Sequence, residues 1–286
     1  MGTAKRERQK QGRQARLAQA QAEEAKRKRF RTFRNLGILA VAVLAAAFIY
    51  SATQGDDADV ATDGTGTTLP ADTSDTSPLS TESTIPPITV PAAGAAITGE
   101  TPCPAEDGSS ERTTSFEQAP PTCIDASKTY TATVVTSEGT FTITLDAVAA
   151  PETVNNFVVL ARYHFFDGVA FHRIVTGFVN QTGDATGPQP GAGDPGYTIP
   201  DELPSDPSAY VAGAIAMANS GPDTGGSQWF VVVKDGGAQL TADYSLFGQV
   251  TEGEDVVDAI NTFGVASSDG TPTKVVTITS VTITES

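Results

Sequence analysis

The feature that most constrains the fold is a run of short apolar stretches separated by turn residues, from about Ser127 to the C-terminus. Residues 130–136 and 140–145 alternate apolar side chains with Thr, and Ser137, Glu138 and Gly139 separate them. This pattern predicts a β-hairpin. Further strands are predicted at residues 169–175, 178–181, 211–218, 228–233, 246–250 and 274–284.

Only two helices are predicted in this region. The first opens at Pro151, a residue that the first helical turn accepts, and the second spans residues 255–263. Many short strands with two helices indicate an all-β barrel or sandwich. A region of about 160 residues is long enough to bury a single core.

The charge of the chain is divided sharply. Residues 1–35 hold twelve of the eighteen Lys and Arg and three of the thirty-four Asp and Glu, a net of +9, which leaves –25 for the remainder. Such an asymmetry suggests that one chain meets two environments. A basic arm can bind nucleic acid, but the segment that follows favours a cytoplasmic tail close to anionic lipid heads, and we expect no nucleic-acid partner.

Residues 36–50 carry no charge, and with Ser51 and Ala52 the apolar segment 36–52 reaches seventeen residues, the lower limit for a membrane-spanning helix. Basic residues from Lys26 to Arg34 precede it directly, which predicts a cytoplasmic N-terminus and an external remainder. We expect a single-pass anchor. A cleaved signal peptide, which would give a secreted soluble protein, and a buried core helix are the alternatives.

Residues 53–100 are dominated by Thr, Ser, Asp, Ala, Gly and Pro and contain no aromatic residue. Such a composition buries too little apolar surface to offset the entropy of ordering, so it predicts a disordered linker.

Cys103 and Cys123 are the only two cysteines, and they lie in a Pro-rich segment, 101–126, just before the folded domain. An even pair in an exported protein indicates a disulfide that staples an irregular loop. Two free thiols are the alternative. The domain proper is predicted at residues 127–286, and a fragment beginning at Ser127 is expected to fold alone and to keep near-normal activity.

Two stretches carry the functional signal. Residues 171–184 read Phe-His-Arg-Ile-Val-Thr-Gly-Phe-Val-Asn-Gln-Thr-Gly-Asp, and residues 217–230 read Met-Ala-Asn-Ser-Gly-Pro-Asp-Thr-Gly-Gly-Ser-Gln-Trp-Phe. Together they resemble the active-site signature of cyclophilin-type peptidyl-prolyl isomerases, and the resemblance extends from about Tyr130 to the C-terminus. It implies a mainly β fold, a closed eight-stranded antiparallel barrel with a helix capping each end.

The resemblance also implies the roles of single residues. Arg173 matches the catalytic arginine and Gln181 the residue that orients it. The residues that match a substrate groove are Phe178, Val179, Asn219, Gln228, Phe230, Leu240 and Tyr244, of which Phe178, Val179, Phe230 and Leu240 match the walls of a proline pocket. Val179 stands where Met is usual, Tyr244 where many members have His, and Gln239 where a Trp contacts cyclosporin.

Strand alternation places Phe171, Arg173 and Val175 on one face, with His172 opposite. The same parity joins Gln228 to Phe230 and leaves Trp229 on the opposite face, where it is interpreted as a core or surface packing residue. His172 is interpreted as a hydrogen-bonded structural residue.

Prolyl isomerisation breaks no covalent bond, because its barrier of about 18–20 kcal/mol is the lost resonance of a twisted amide. It needs a dry pocket for the proline ring and a donor aimed at the amide nitrogen, and no metal or cofactor is expected. Arg173 offers such a donor. We therefore expect a monomeric, membrane-anchored bacterial isomerase that acts on Xaa-Pro segments of exported proteins. The alternative is a non-catalytic proline-peptide chaperone or scaffold on the same barrel.

Overall fold

The computed structural model describes residues 87–187 and 190–286. Two helices and ten strands occur there, in the chain order β1 Ala95–Ile97, β2 Thr113–Phe116, β3 Tyr130–Thr136, β4 Gly139–Leu145, α1 Pro151–Arg162, β5 Arg173–Val175, β6 Val179–Thr182, β7 Ala214–Met217, β8 Trp229–Val232, β9 Leu246–Glu252, α2 Glu254–Asn261 and β10 Ile278–Glu285. Short 3-10 helices cover Pro207–Ala209 and Lys234–Gln239.

The basic tail 1–35, the anchor 36–52 and the linker up to residue 86 lie outside the described residues. Within residues 87–187 and 190–286, no helix is long and apolar enough to cross a bilayer.

Eight strands form one curled antiparallel sheet in the order β10-β3-β4-β9-β7-β8-β6-β5. The mainly β fold with two helices is confirmed, but the prediction of a closed barrel is wrong, because β5 and β10 do not pair as strands. The edge of β5 is occupied instead by the loop 264–270, where Ile174 N–H donates to the Gly270 carbonyl at 2.7 Å and Val265 N–H to the Ile174 carbonyl at 3.2 Å. The sheet edges approach only just before these strands, at the isolated bridge between Ala170 and Thr277.

The hairpin of β3 and β4 forms in the predicted register, with Thr136 opposite Gly139. Along β3 the residues alternate between fully and partly buried positions, as expected of a strand with one face on the core. Gly139 has φ +139°, a backbone conformation that favours glycine at this turn.

Other element bounds differ from the predicted ones for local reasons. The strand predicted at 211–218 shortens to β7, because the 3-10 helix at Pro207–Ala209 and a left-handed Gly213 (φ +78°) precede it. The strand predicted at 169–175 begins only at Arg173, since residues 171 and 172 lie outside the ladder. The predicted parity of Phe171 is therefore wrong: its ring contacts Trp229 in the core, with centroids 6.4 Å apart.

Aromatic side chains fill the concave side of the sheet against α1. Phe157 of this helix lies 5.7 Å from Trp229, 5.2 Å from Phe166 and 5.3 Å from Phe247, measured between ring centroids. Trp229 is fully buried, so of the two packing positions considered for it the structure shows the core. Offset and edge-on aromatic contacts of this kind add to the energy of apolar burial.

The Pro-rich segment before β3 belongs to the same folded unit. We call residues 91–124 the stapled segment, because the Cys103–Cys123 disulfide crosses it with a Cα–Cα distance of 5.4 Å, which confirms the disulfide prediction. β1 and β2 pair in parallel inside it, so the predicted disorder of 53–100 is wrong for the residues of β1. Phe116 of β2 is 1% exposed and joins the main core. The segment is rich in Pro, Ser and Thr, and the buried ring of Phe116 packs it against the main core.

Candidate active site

The β5–β6 hairpin places Arg173 directly opposite Gln181. Its turn is secured from behind by the buried amide of Asn261, which accepts from Gly177 N–H at 2.8 Å and donates to the Val175 carbonyl at 3.1 Å and to Asn180 Oδ1 at 2.8 Å. Buried amides with several partners fix a loop tightly, because each unpaired group would carry a desolvation cost. The helix α2 therefore sets the position of the hairpin that carries Arg173.

A row of polar side chains crosses the sheet on its outer face. Arg173 Nη1 donates to Gln181 Oε1 at 3.2 Å, and Gln181 Nε2 donates to Gln228 Oε1 at 3.2 Å. Gln181 also pairs with Phe230 in the ladder between β6 and β8. The structure thus brings together three residues that lie up to 55 positions apart in the chain.

Arg173 has a second support that the sequence did not reveal. Its Nε donates to the carbonyl of Ser268 at 3.0 Å, so the loop 264–270 holds the guanidinium from the side opposite Gln181. Phe178 lies under it, 5.9 Å from Cζ to the ring centroid. Burial lowers the pKa of Arg173, but an arginine remains charged at any physiological pH. The guanidinium is thus fixed before a ligand arrives, and Nη2 has no hydrogen-bond partner among the described residues.

An apolar pocket of about 210 Å³ opens beside this guanidinium. It is lined by Arg173, Phe178, Val179, Gln181, Ala218, Asn219, Phe230, Leu240 and Tyr244. Phe230 and Val179 are buried at its base, above a small second core on the outer face of the sheet. The edge-on contact of Phe230 with Tyr244, at 5.4 Å between centroids, fixes one wall. Of the nine predicted site residues, the two assigned to catalysis and six of the seven assigned to the groove line this pocket, and the remaining one, Gln228, lies next to it.

Two supporting residues were missed by sequence reasoning. The Tyr210 hydroxyl donates to the Tyr244 carbonyl at 2.7 Å and accepts from its N–H at 3.2 Å, which fixes the Tyr244 backbone. The Asp243 carbonyl accepts from Asn219 Nδ2 at 2.8 Å. Both contacts join segments more than twenty residues apart, and no local pattern signals them.

A larger, polar pocket of about 420 Å³ adjoins the apolar one and shares Gln181, Ala218 and Asn219 with it. Its other lining residues are Gly191, Ala192, Gly193, Asp194, Thr198, Ser220, Thr224, Gly226, Ser227 and Gln228. It contains neither Arg173 nor an aromatic ring. The smaller pocket therefore combines a fixed cation with aromatic walls, whereas the larger one offers hydroxyls, amides and one carboxylate.

The prediction for His172 holds in part. The side chain lies against the glycine-rich loop, where a Cβ added to Gly191 would be 3.2 Å from its Nε2. Both ring nitrogens are buried without a hydrogen-bond partner among the described residues, so the predicted hydrogen bonding is wrong. Burial lowers the pKa of His172, which keeps the ring neutral at pH 7.

Asp184 holds the glycine-rich loop together, a role that was not predicted from the sequence. Its two carboxylate oxygens accept four backbone N–H groups, from Thr186 and Gly187 at 3.0 Å and from Gly191 and Gly193 at 2.6 and 3.0 Å. Burial raises the pKa of Asp184, but the four donors outweigh this effect and leave it below its ordinary value. The signal available in the sequence was an Asp followed by a Gly- and Pro-rich stretch.

We expect Asp184→Asn to destabilise the protein by about 2 kcal/mol at pH 7, because an amide offers one acceptor oxygen to four donors. A depressed folded-state pKa contributes stability above the ordinary carboxyl pKa of about 3.9, and that contribution disappears as pH falls through the folded value. Urea denaturation of both proteins at neutral and acidic pH measures this. The difference between the two proteins should shrink as the pH falls below the ordinary carboxyl pKa of about 3.9 and through the lower folded-state pKa of Asp184.

The matched control is Asp206→Asn, since Asp206 is an exposed carboxylate that accepts one backbone N–H, from Ser208 at 2.8 Å. It should cost less than about 1 kcal/mol. Equal stability of wild type and Asp184→Asn at neutral pH would contradict the role given to Asp184.

The pocket combines aromatic walls with a guanidinium that is fixed in place, and comparison with known proteins shows the family to which the chain belongs. The chain belongs to the cyclophilin-type peptidyl-prolyl cis-trans isomerase family, whose family model, described as "Cyclophilin type peptidyl-prolyl cis-trans isomerase/CLD", matches residues 131–283. The isomerase class of enzyme predicted from the two motifs is thereby confirmed.

Curated relatives agree with this assignment. The chain is 40% identical over 138 residues to a peptidyl-prolyl cis-trans isomerase of Helicobacter pylori, covering 48% of this chain and 83% of the relative. It is 48% identical over 105 residues to peptidyl-prolyl cis-trans isomerase B of Bacillus subtilis, covering 37% and 71%. A probable peptidyl-prolyl cis-trans isomerase B of Mycobacterium tuberculosis is 39% identical over 165 residues, covering 52% of each chain.

Among solved structures, the chain is similar to a cyclophilin-type isomerase of Cryptosporidium parvum crystallised in the presence of the dipeptide Ala-Pro. The sequence identity is 24%, the TM-score is 0.48, and the alignment covers 54% of this chain and 98% of that one.

Proposed function

We propose that this isomerase acts outside the cytoplasm on Xaa-Pro segments of unfolded or newly exported proteins, and that Arg173 supplies the catalysis. The observation that carries the catalytic part is the guanidinium held between Gln181 and the Ser268 carbonyl at the mouth of an apolar pocket. The proline ring would enter between Phe178 and Phe230. The peptide amide would then lie within reach of Arg173.

In this mechanism the rate enhancement comes from a group that interacts chiefly with the twisted amide. As rotation begins, the nitrogen loses conjugation and regains a lone pair, which a guanidinium N–H can bind. Because Arg173 is already oriented, no reorganisation is needed at the moment of reaction. The apolar pocket excludes water and so strengthens the interaction.

The direct test is a protease-coupled assay of the full chain on a short Xaa-Pro peptide. We expect cis-to-trans conversion to accelerate in proportion to enzyme concentration. If the folded protein does not accelerate this conversion, the proposed isomerase function is wrong.

The extracytoplasmic location is supported by the basic run that precedes the apolar segment 36–52 and by the disulfide, a bond typical of oxidising compartments. Cell fractionation with external protease should recover the intact chain in the membrane and release its C-terminal domain from the outside. A soluble form that begins near Ala52 would show that the segment is a cleaved signal.

A further inference from the structure

The wall of the polar pocket is a short backbone segment held from two sides. We call residues 190–196 the wall segment, since Gly191, Ala192, Gly193 and Asp194 line the pocket. On the pocket side, Gln228 Nε2 donates to the Gly191 carbonyl at 3.1 Å and to the Gly193 carbonyl at 2.9 Å. This inner anchor belongs to the site itself.

The outer anchor comes from the stapled segment. Phe116 N–H donates to the Pro195 carbonyl at 2.8 Å. Gly196, with φ +107°, approaches Phe116 so closely that an added Cβ would lie 2.1 Å from the Phe116 carbonyl oxygen. Such an approach requires glycine, and it leaves the end of the wall segment no freedom to move outward without displacing Phe116.

Phe116 is also connected to a second residue of the pocket lining, Gly226. The ring of Tyr197 packs edge-on against Phe116, and its hydroxyl donates to Asn156 Oδ1 at 2.7 Å. Asn156 Nδ2 in turn donates to the carbonyl of Gly226, which lines the polar pocket, also at 2.7 Å. Phe116 is therefore linked to the pocket lining both through the wall segment and through Gly226, which lies beside Asp194 and Pro195.

Phe116 lies in the loop closed by the disulfide, and hydrogen bonds at both ends of that loop hold it in place. Cys123 N–H donates to Asn155 Oδ1 at 2.7 Å, and the Tyr163 hydroxyl donates to the Pro102 carbonyl at 2.8 Å. Asn155 and Tyr163 lie in or directly after α1, so both ends of the loop closed by Cys103 and Cys123 attach to one helix. The disulfide shortens the chain that connects them and thereby limits the movement of β2.

We infer that the stapled segment is a positioning element for the wall segment, and that it sets which side chains flanking the proline the enzyme accepts. The inference rests on the proposed isomerase function. The two pockets share Gln181, Ala218 and Asn219, so a peptide whose proline occupies the apolar pocket has side chains within reach of the polar pocket. The lining offers hydroxyls, amides and one carboxylate, Asp194, which favours uncharged polar or basic side chains over acidic ones.

The test measures selectivity in the full-length protein. Peptides that differ only at the residues before the Xaa-Pro bond, with Ser, Lys, Leu or Glu there, are compared by kcat/KM in wild type, Phe116→Leu and the Cys103→Ser/Cys123→Ser pair. We expect wild type to favour Lys over Glu by about tenfold, and both variants to reduce this ratio to about threefold or less. The kcat/KM for an all-Ala peptide should stay within about threefold of wild type.

The control is Val281→Ala, which shortens a buried side chain on β10, a strand that contributes no residue to either anchor. It should lower stability and leave the ratio unchanged. Amide hydrogen exchange should be faster at residues 190–196 in the two test variants and unaltered there in the control.

A faster-exchanging wall segment with an unchanged selectivity ratio would overturn the inference, and so would an equal change in the control. Absence of activity in wild type on every peptide would instead be the failure of the isomerase proposal, which is recognised before any variant is compared.

Discussion

Arg173→Ala is expected to lower kcat/KM by roughly 10²-fold, the usual effect of removing one preorganised donor, while peptide affinity changes little. The guanidinium is held by Gln181 and by the Ser268 carbonyl, and neither contact needs a bound peptide. Its interaction with the amide nitrogen exists chiefly in the transition state, so its loss should raise the barrier without weakening ground-state binding. The measurement is a protease-coupled assay together with calorimetry on the same peptide.

Two further variants test separate contributions. One keeps the positive charge at residue 173 but changes its geometry, and the other removes a wall of the pocket but keeps the arginine donor. Arg173→Lys keeps the charge but cannot bridge Gln181 and Ser268 with a planar fork, so it should rescue activity only in part. Phe230→Ala removes the buried base of the apolar pocket and should weaken peptide binding as well as catalysis. Near-normal turnover in Arg173→Ala would refute the catalytic role and favour a peptide-binding module.

The sequence predicted the residues of the site but not the contacts that support them. Arg173, Gln181 and Phe230 were predicted from the resemblance of the two motifs, and the pairing of short strands brings them into one row. The Ser268 carbonyl that completes the arginine's surroundings belongs to an irregular loop and acts through its backbone, which carries no residue-specific signal.

Closure of the sheet was mispredicted for a related reason. Alternating apolar residues show that a segment can be a strand, but not which groups satisfy its edge. Here the backbone groups of Ile174 are taken by Gly270 and Val265. A three-residue edge strand covered by a loop therefore replaces the expected pairing with β10.

The burial of Phe116 is a structural feature that the sequence did not predict. It is a single aromatic residue in a stretch rich in Pro, Ser and Thr, which composition assigns to an irregular loop. Its burial comes from Tyr163, at 5.5 Å between centroids, and Tyr197, at 6.1 Å, both distant in the chain. Contacts of this kind arise from tertiary packing and leave no trace in local periodicity.

This packing changes what we expect from a fragment that begins at Ser127. Such a fragment lacks Phe116, and losing a buried Phe side chain typically costs about 3–5 kcal/mol. It also exposes the rings of Tyr163 and Tyr197 and leaves the Asn155 amide without the partners supplied by Cys123 and Pro121. Together these losses approach the whole stability of a typical domain, about 5–15 kcal/mol.

We therefore expect the 127–286 fragment to melt about 10–20 °C below the 87–286 fragment, since 1 kcal/mol corresponds to about 2–4 °C for a domain of this size. Phe116→Ala in the longer fragment should account for about half of the difference, because it removes the ring but keeps the disulfide and the backbone contacts. Calorimetry of the three proteins measures this. The fraction that remains folded should still isomerise an all-Ala peptide, because Gln181, Ser268 and every pocket residue lie after Ser127. Melting temperatures within about 3 °C for the two fragments would mean that the stapled segment contacts the rest of the fold without stabilising it, and that a domain boundary at Ser127 costs no stability.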